Sequence, residues 1–357
     1  MATGDVDPDE VKLFSFRVWT YKMGEQVSML VHLGDRLGLY RAMEGRGPIT
    51  STELADAAGL DERFVREWLL GQAAADLLVR GDDGRFELTA VQAAVLADEE
   101  GSIAFSAGAF RGGTAPEVMD RIADSFRTGR GVTYEELGAD AAASLARMTG
   151  PWSRQALNSV IVPALDGVAA KLASGASVVD VGCGGGVTLA TLAAAHPEAR
   201  CVGYDPSPAA IELARRRADE EGLSNLEFVV AGGEELPAGS DFDLVLTFDC
   251  LHDMAFPDRA AAAIRGAIAD DGTWLIKDIR STGSFETDRR NPLLAMFYGF
   301  SIGSCLQSAT SEPGGLALGT LGLHPRRAEE LVTAAGFTSF STHDFDDAAN
   351  LYYEVRP

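Results

Sequence analysis

The chain is poor in cysteine and in positive charge. Its 357 residues hold four cysteines, Cys183, Cys201, Cys250 and Cys305, with no C-x-x-C pair and no Cys/His spacing of the zinc or redox kind. A disulfide scaffold is excluded, the thiols read as reduced, and no metal is expected. Lysine plus arginine number 30 against 53 aspartate plus glutamate, a formal net charge of −23. A protein that gripped nucleic acid through its phosphates would need a basic surface. Nucleic acid is therefore not an expected partner, and the charge reads as a solubilising acidic surface. No apolar stretch is long enough to span a bilayer, and Met1–Asp7 is acidic where a signal peptide has an apolar core. A cytoplasmic protein without membrane contact is expected.

Two nucleotide signatures are missing as well. There is no Gly-Lys-Ser/Thr ending of a P-loop, and a dinucleotide fingerprint counted from Gly182 puts Val187 where its last glycine or alanine belongs. What stands there is Val178-Val179-Asp180-Val181-Gly182-Cys183-Gly184-Gly185-Gly186, followed by Val187-Thr188-Leu189-Ala190. A β-branched run, a glycine loop and an apolar segment read as buried strand, tight turn and helix. Glycine lets the backbone approach a ligand closely, and the helix start offers free N–H groups. A second apolar run, Cys201-Val202-Gly203-Tyr204, closes on Asp205, about where a ribose-binding acid belongs.

Length allows two domains. Leu13–Tyr21 carries Phe14, Phe16, Trp19 and Tyr21, with helical spacing at Leu30, Leu33, Leu37, Tyr40 and Met43. These groups need a partner surface, either a second subunit or the rest of the domain. Thr50-Ser51-Thr52-Glu53 is a capping box for a helix that Gly59 stops. A second helix from Asp61 turns Phe64, Val65, Trp68, Leu69 and Leu78 to one core, and Arg80–Leu88 reads as a hairpin with its turn at Asp83-Gly84. The result is a winged helix. Reading DNA through its second short helix is opposed by Asp61, Glu62 and Glu67 set among Arg63 and Arg66, and by Asp82, Asp83 and Glu87 in the wing. A dimerisation or substrate-covering role fits these charges better.

Residues 104–150, amphipathic around Val118, Ile122 and Phe126, read as linking helices, and Trp152–Leu172 as a helix interrupted at Pro163. Strands then fall near Ser177–Val181, Arg200–Tyr204, Leu226–Val230, Asp243–Phe248 and Thr273–Ile279, alternating with helices near Leu189–Ala195, Pro208–Glu221 and Arg259–Ala269. That alternation predicts an α/β, doubly wound sheet. An insertion at Pro292–Leu323 suits a lid, and a helix (Arg326–Ala335) with two strands (Thr338–Asp344, Asn350–Val355) completes the domain. The expected boundaries are 1–100 for the winged-helix and dimerisation domain, 101–150 for a helical linker, and 151–357 for the ligand-binding domain, with the lid near 284–323.

In open α/β sheets ligands bind beyond the carboxyl ends of the strands. The residues there are Asp180, Asp205, Gly232, Asp249 with His252 and Asp253, and Lys277 with Asp278. The acid-x-Gly-x-Gly-x-Gly run with Asp205 resembles motif I of the class I S-adenosylmethionine-dependent methyltransferases. The resemblance implies a Rossmann-like seven-stranded sheet and S-adenosylmethionine as cofactor. Asp180 would organise the loop and meet the ligand's ammonium, with Gly182, Cys183, Gly184 and Gly186 around it. Asp205 would take the ribose hydroxyls and Pro206 one adenine face, with Phe248 and Asp249 also at the cofactor. The family often holds the adenine amino group with an acid after the third strand; here Gly232-Gly233-Glu234 puts glycine there, so Glu234 or a backbone carbonyl must substitute.

Phe248-Asp249-Cys250-Leu251-His252-Asp253-Met254 resembles the segment of plant-type and bacterial small-molecule O-methyltransferases in which a His-Asp pair supplies the base, although Met254 stands where a tryptophan is usual. In-line displacement at a sulfonium carbon needs an aligned acceptor, and a hydroxyl needs a proton acceptor; histidine's ordinary pKa of about 6.5 suits that task. His252 and Asp253 are the catalytic candidates. The alternative is that His252 caps the following turn and Asp253 starts the next helix. Lys277–Arg280 reads as an ion-paired strand end, His324 as a cap or pocket residue, and Phe297 and Tyr298 as acceptor-stacking groups or core. Over nearly its full length, with Arg63–Gln72 and Ser311–Pro325 adding to the motifs, the chain resembles a bacterial methyltransferase group with an N-terminal winged helix. The implied activity is methyl transfer to a small aromatic or hydrophobic metabolite, at oxygen ahead of nitrogen or carbon, by a homodimer joined through the N-terminal domain. A ligand-sensing transcriptional regulator on the same scaffold is the alternative.

Overall fold

The computed structural model describes residues 6–137 and 141–357. The start of the acidic N-terminus, Met1–Asp5, and residues 138–140 of the expected linker lie outside the described residues. Contacts divide the chain into two units, Met1–Gly113 and Thr114–Pro357.

The first unit is helical with a small wing. A long helix, Pro8–Arg36, starts at Asp7, whose carboxylate accepts from Asp9 N. Ser51–Ala58 opens with the expected capping box, Thr50 and Glu53 satisfying each other's backbone, and ends at Gly59 with φ 67°. Glu62–Ala74 follows, capped by Asp61. The wing pairs β1 (Val79–Arg80) with β2 (Phe86–Glu87) antiparallel, and a second capping box, Thr89 with Gln92, opens Ala90–Leu96. Val65, Trp68, Leu69 and Gln72 form one buried stripe, and the polar ends of the core are satisfied: Tyr40 donates to Gln72 at 2.7 Å and Trp68 Nε1 to Leu30 O at 2.9 Å. Phe64 is the exception to the expected core. It is 80% exposed, because one residue's rotation from Val65 carries it off a stripe spaced i, i+3, i+4, i+7. Leu78 is buried but sits beyond the helix, just before β1. On the exposed side of this helix Arg63 pairs with Glu67 and Arg66 with Glu62, each one turn away, so each arginine of the would-be reading helix has a carboxylate beside it.

The second unit is a seven-stranded sheet in the order β5-β4-β3-β6-β7-β9-β8. Its strands are β3 (Ser177–Val181), β4 (Arg200–Asp205), β5 (Leu226–Val230), β6 (Phe242–Phe248), β7 (Ile268–Ile279), β8 (Ser339–His343) and β9 (Asn350–Arg356). β3 to β7 are parallel, and β9 runs antiparallel between β7 and β8. β3 is buried at every position after Ser177 because both faces are covered. Val178 packs with Leu157, Leu189, Leu192 and Ile211 on one side, and its neighbour Val179 with Ala261, Ile264, Ile276 and Val332 on the other. Each such fully buried aliphatic side chain stabilises the fold by about 1.5–3 kcal/mol.

The helices Val187–Ala195, Pro208–Glu220 and Pro257–Ala267 alternate with the strands as expected. β7 begins earlier than its β-branched run, at Ile268, with a register shift against β6 between Phe242 and Leu244 that absorbs Asp270-Asp271-Gly272. The segment before the sheet is not one helix. Ala141–Trp152 contains Pro151 and passes into wider turns over Ser153–Ile161, consistent with a proline that cannot donate to the preceding turn. The chain departs from β3 towards β4 and β5 on one side and returns to β6 and β7 on the other, so a crevice opens at the strand ends around β3.

Candidate active site

A cavity of about 610 Å³ occupies that crevice. The loop leaving β3 forms its floor. Gly182 N and Cys183 N both donate to Tyr204 O, at 2.8 and 3.0 Å, which staples the loop to β4. Gly182 has φ 77°, and a Cβ there would stand 2.7 Å from Cys250 Cβ, so no other residue fits. Gly184 N donates to Asp205 Oδ2 and Ser207 N to Asp205 Oδ1, both at 2.9 Å. Each Asp205 oxygen keeps a lone pair for a ligand hydroxyl. Burial raises the Asp205 carboxyl above its ordinary range against these two donors.

Asp180 is the unusual group. Its side chain is buried, lines the cavity and takes no hydrogen bond among the described residues. Burial, with Asp205 nearby, pushes its pKa up to about 7. A carboxyl in that state lacks a cationic partner, and a ligand ammonium would supply one. Cys183, Pro206, Gly232, Gly233, Glu234, Phe248 and Asp249 also line the cavity. Glu234 is exposed and free to reach a ligand from the end of β5. Gly186 does not line it: with φ 72° it packs the following helix against Phe228 and Ala214, where a Cβ would fall at 2.7–2.8 Å.

The end of β6 meets the end of β7. Asp249, with φ 53°, pairs with the buried Lys277 and accepts from Asn350 Nδ2 at 2.5 Å. The Lys277 ammonium also lies 4.9 Å over the ring of Trp152, which stacks on Tyr352 and meets Phe248 edge-on. The strand end is thus ion-paired as expected, although across strands, and Arg280 pairs with Asp344.

His252 is 2% exposed and does not line the cavity. Its Nδ1 meets Asp278 Oδ1 at 2.8 Å and its Nε2 lies 3.1 Å from Asp253 Oδ1. Burial alone lowers its pKa, but the Asp278 and Asp253 carboxylates outweigh burial and hold it well above the ordinary value. Asp253 faces the cavity, and its Oδ2 accepts from Tyr134 OH at 2.5 Å. The next helix starts at Pro257, not at Asp253.

His324 caps its helix, accepting from Arg327 N, and lies off the cavity. Phe297 is buried and Tyr298 partly exposed, and neither lines the cavity, so neither stacks on an acceptor there. From the insertion it is Ser308, Ser311 and Glu312 that reach the cavity. Tyr134 and Trp152, which local sequence pattern did not single out, line it too. Trp152 carried one signal, its place just before the sheet; Tyr134 carried none.

A family described as a methyltransferase domain matches residues 172–303, and one described as an Rv2258c-like winged HTH domain matches residues 25–98. The chain has a methyltransferase domain behind a winged-helix domain. Demethylspheroidene O-methyltransferase of Cereibacter sphaeroides is 31% identical over 215 residues, 55% of this chain and 52% of that protein. Ubiquinone biosynthesis O-methyltransferase of a Methylobacterium strain is 39% identical over 102 residues, 26% of this chain and 38% of that protein. The chain spans about half or less of the length of the curated relatives it matches. Among solved structures, human N-acetylserotonin methyltransferase in complex with SAM aligns with a TM-score of 0.65 at 20% identity, covering 100% of this chain and 99% of that one. An O-methyltransferase family protein from Burkholderia thailandensis aligns at 0.64 and 18% identity, covering 99% of each chain. These likenesses establish the fold of both domains. No helix among the described residues is long and apolar enough to cross a membrane.

Proposed function

We propose that the methyltransferase domain binds S-adenosylmethionine in the cavity and methylates a hydroxyl of a small, hydrophobic or aromatic metabolite. The observation that carries the reading is the pair of acids at the ends of β3 and β4. Asp180, buried and without a cationic partner among the described residues, suits the ligand's ammonium. Asp205, fixed by Gly184 N and Ser207 N, suits its ribose hydroxyls. Pro206 borders the adenine position and Glu234 is placed for its amino group. The cofactor, when bound, supplies an electrophilic methyl group on a sulfonium.

The protein's own part is to align the acceptor, exclude water and take the proton. Trp152, Phe248, Met254 and Phe256 give the cavity an apolar wall suited to a flat or greasy acceptor. Asp253 is the member of the His-Asp pair that faces the cavity, so it takes the hydroxyl proton. His252, held by Asp278 at Nδ1, positions the Asp253 carboxylate from Nε2, and Tyr134 fixes it by hydrogen bond. Relatives named for O-methylation, such as demethylspheroidene O-methyltransferase, support oxygen as the methylated atom. The exposed aromatics Phe14, Phe16, Trp19 and Tyr21 on Pro8–Arg36 support a homodimer formed through the N-terminal domain. The carboxylate-paired arginines of the winged helix speak against DNA as its partner.

Calorimetry with S-adenosylhomocysteine tests the cofactor half. Wild type should bind it and Asp205→Ala should bind about 10- to 100-fold more weakly, the loss of charge-assisted hydrogen bonds of about 1.5–3 kcal/mol. Equal affinity in the two proteins would remove Asp205 from the site, and no binding to either would end the reading.

A further inference from the structure

Inside the methyltransferase domain, His252, Asp253 and Cys305 each place one donor atom within 4.8 Å of the other two. Cys305 comes from the turns Ser301–Cys305 of the insertion, far along the chain from the His-Asp pair, and its thiol is free and buried. Three features of this cluster go beyond an ion pair. First, Asp253 Oδ1 lies 3.1 Å from His252 Nε2, yet this buried oxygen accepts no hydrogen bond among the described residues. A buried carboxylate oxygen beside a ring nitrogen and without a hydrogen bond of its own keeps its lone pairs for an ion. Second, the opposite ring nitrogen is held by Asp278 Oδ1 at 2.8 Å, which is the carboxylate–histidine arrangement that orients a metal-binding imidazole. Third, the spacing suits a small cation. Donors about 2.0–2.3 Å from a tetrahedral zinc lie about 3.3–3.6 Å from one another; the His252–Asp253 pair at 3.1 Å is already near that, and Cys305 Sγ, within 4.8 Å of both, would close by about 1 Å at most.

We propose that His252 Nε2, Asp253 Oδ1 and Cys305 Sγ form a binding site for a thiophilic divalent cation of the zinc class. One imidazole, one carboxylate and one thiolate are a zinc donor set that leaves a fourth position open. Asp253 lines the cavity and so provides the way in. A metal is bound by neutral imidazole and by thiolate, so loading the site is coupled to proton release. The metal then occupies the proton-accepting pair, so the loaded protein is held inactive until the ion leaves. Only this last clause rests on the proposed methyl transfer; the binding itself does not.

The test uses the full chain, freed of metal with a chelator and dialysed against Zn²⁺ alone or Co²⁺ alone. The expected results are one metal per chain and a cobalt spectrum with a thiolate-to-metal charge-transfer band. That band should be absent in Cys305→Ser, a variant that still unfolds cooperatively and still binds S-adenosylhomocysteine. Asp278→Asn should bind Zn²⁺ about 10- to 100-fold more weakly, as loss of a partner that orients a ligand does. No retained metal, a cobalt spectrum without the thiolate band, or a band that persists in Cys305→Ser overturns the proposal. Stoichiometric cobalt with the band, in a protein that ignores S-adenosylhomocysteine, upholds the metal site and refutes the cofactor reading instead.

Discussion

Replacing Asp180 by asparagine separates what this residue does for binding from what it does to the fold. In the folded chain its pKa stands at about 7 against an ordinary 3.8. The folded state thus holds a proton that the unfolded state has lost between those values. The sign follows from proton linkage: stability is greatest below the ordinary value, falls as pH rises towards 7, and is level above it. At 1.36 kcal/mol per unit, the wild type is destabilised by Asp180 by about 4 kcal/mol at pH 8 and by about 2 kcal/mol at pH 5. Asparagine is nearly isosteric and cannot ionise, so Asp180→Asn should gain more at pH 8 than at pH 5, by about 2–3 kcal/mol. Urea unfolding of both proteins at the two pH values measures this, and any constant effect of the new amide cancels in the difference. The same variant should bind S-adenosylhomocysteine more weakly at pH 8, where the wild-type carboxylate is ionised and meets the ammonium. A stability difference that does not change with pH, or one that is larger at pH 5, refutes the argument from burial.

Lys277→Met leaves Asp249 with Asn350 as its remaining side-chain partner in a largely buried setting. Removal of one member of a buried ion pair costs about 3–5 kcal/mol, and the partial exposure of Asp249 favours the lower figure, about 3 kcal/mol, read as a lower urea midpoint at unchanged slope. A loss under about 1 kcal/mol would mean that the pair is solvent-screened. At the other end of the chain, Phe16→Glu with Trp19→Glu should convert a dimer into a monomer in sedimentation without lowering the thermal midpoint, because both side chains are exposed in the single chain. A wild type that sediments as a monomer at every concentration would leave that face without the proposed partner.

The fold was legible where local physics decides it. β3 and β5 begin and end where their apolar runs do, and the capping box at Thr50 and the glycine at 59 bound their helix as side-chain and φ preferences require. Legibility failed where a neighbour elsewhere in the chain decides. Phe64 is as apolar as Val65, and only the direction of the facing core separates them. Asp270-Asp271-Gly272 has turn composition, yet β7 carries it along as an irregularity inside a longer strand. The widened turns at Ser153–Ile161 follow from Pro151 and Pro163, which mark an interruption in the sequence without saying what form it takes.

The site divides along the same line. Residues at or just past the carboxyl end of a strand, such as Asp180, Asp205 and Asp249, are placed at the crevice by topology alone, so their positions could be read from the alternation of strand and helix. Roles are another matter, because charge is set by what folds in from a distance. His252 looks like a base in a sequence that shows only Asp253 beside it. Asp278, brought alongside from the end of β7, adds a second carboxylate that raises the imidazole's pKa, and of the His-Asp pair it is Asp253 that faces the cavity, which is why the proposed mechanism gives the proton-accepting role to Asp253. Cys305 is further still from any recognisable spacing, since metal motifs are read from ligands close in sequence and this cluster is assembled from β6, β7 and the insertion. The absence of a cysteine–histidine motif therefore excludes only a locally encoded site. Whether the distant cysteine completes a metal site is decided by three-dimensional donor geometry, and there the unbonded Asp253 Oδ1 beside Nε2 is the atom that an ion would take first.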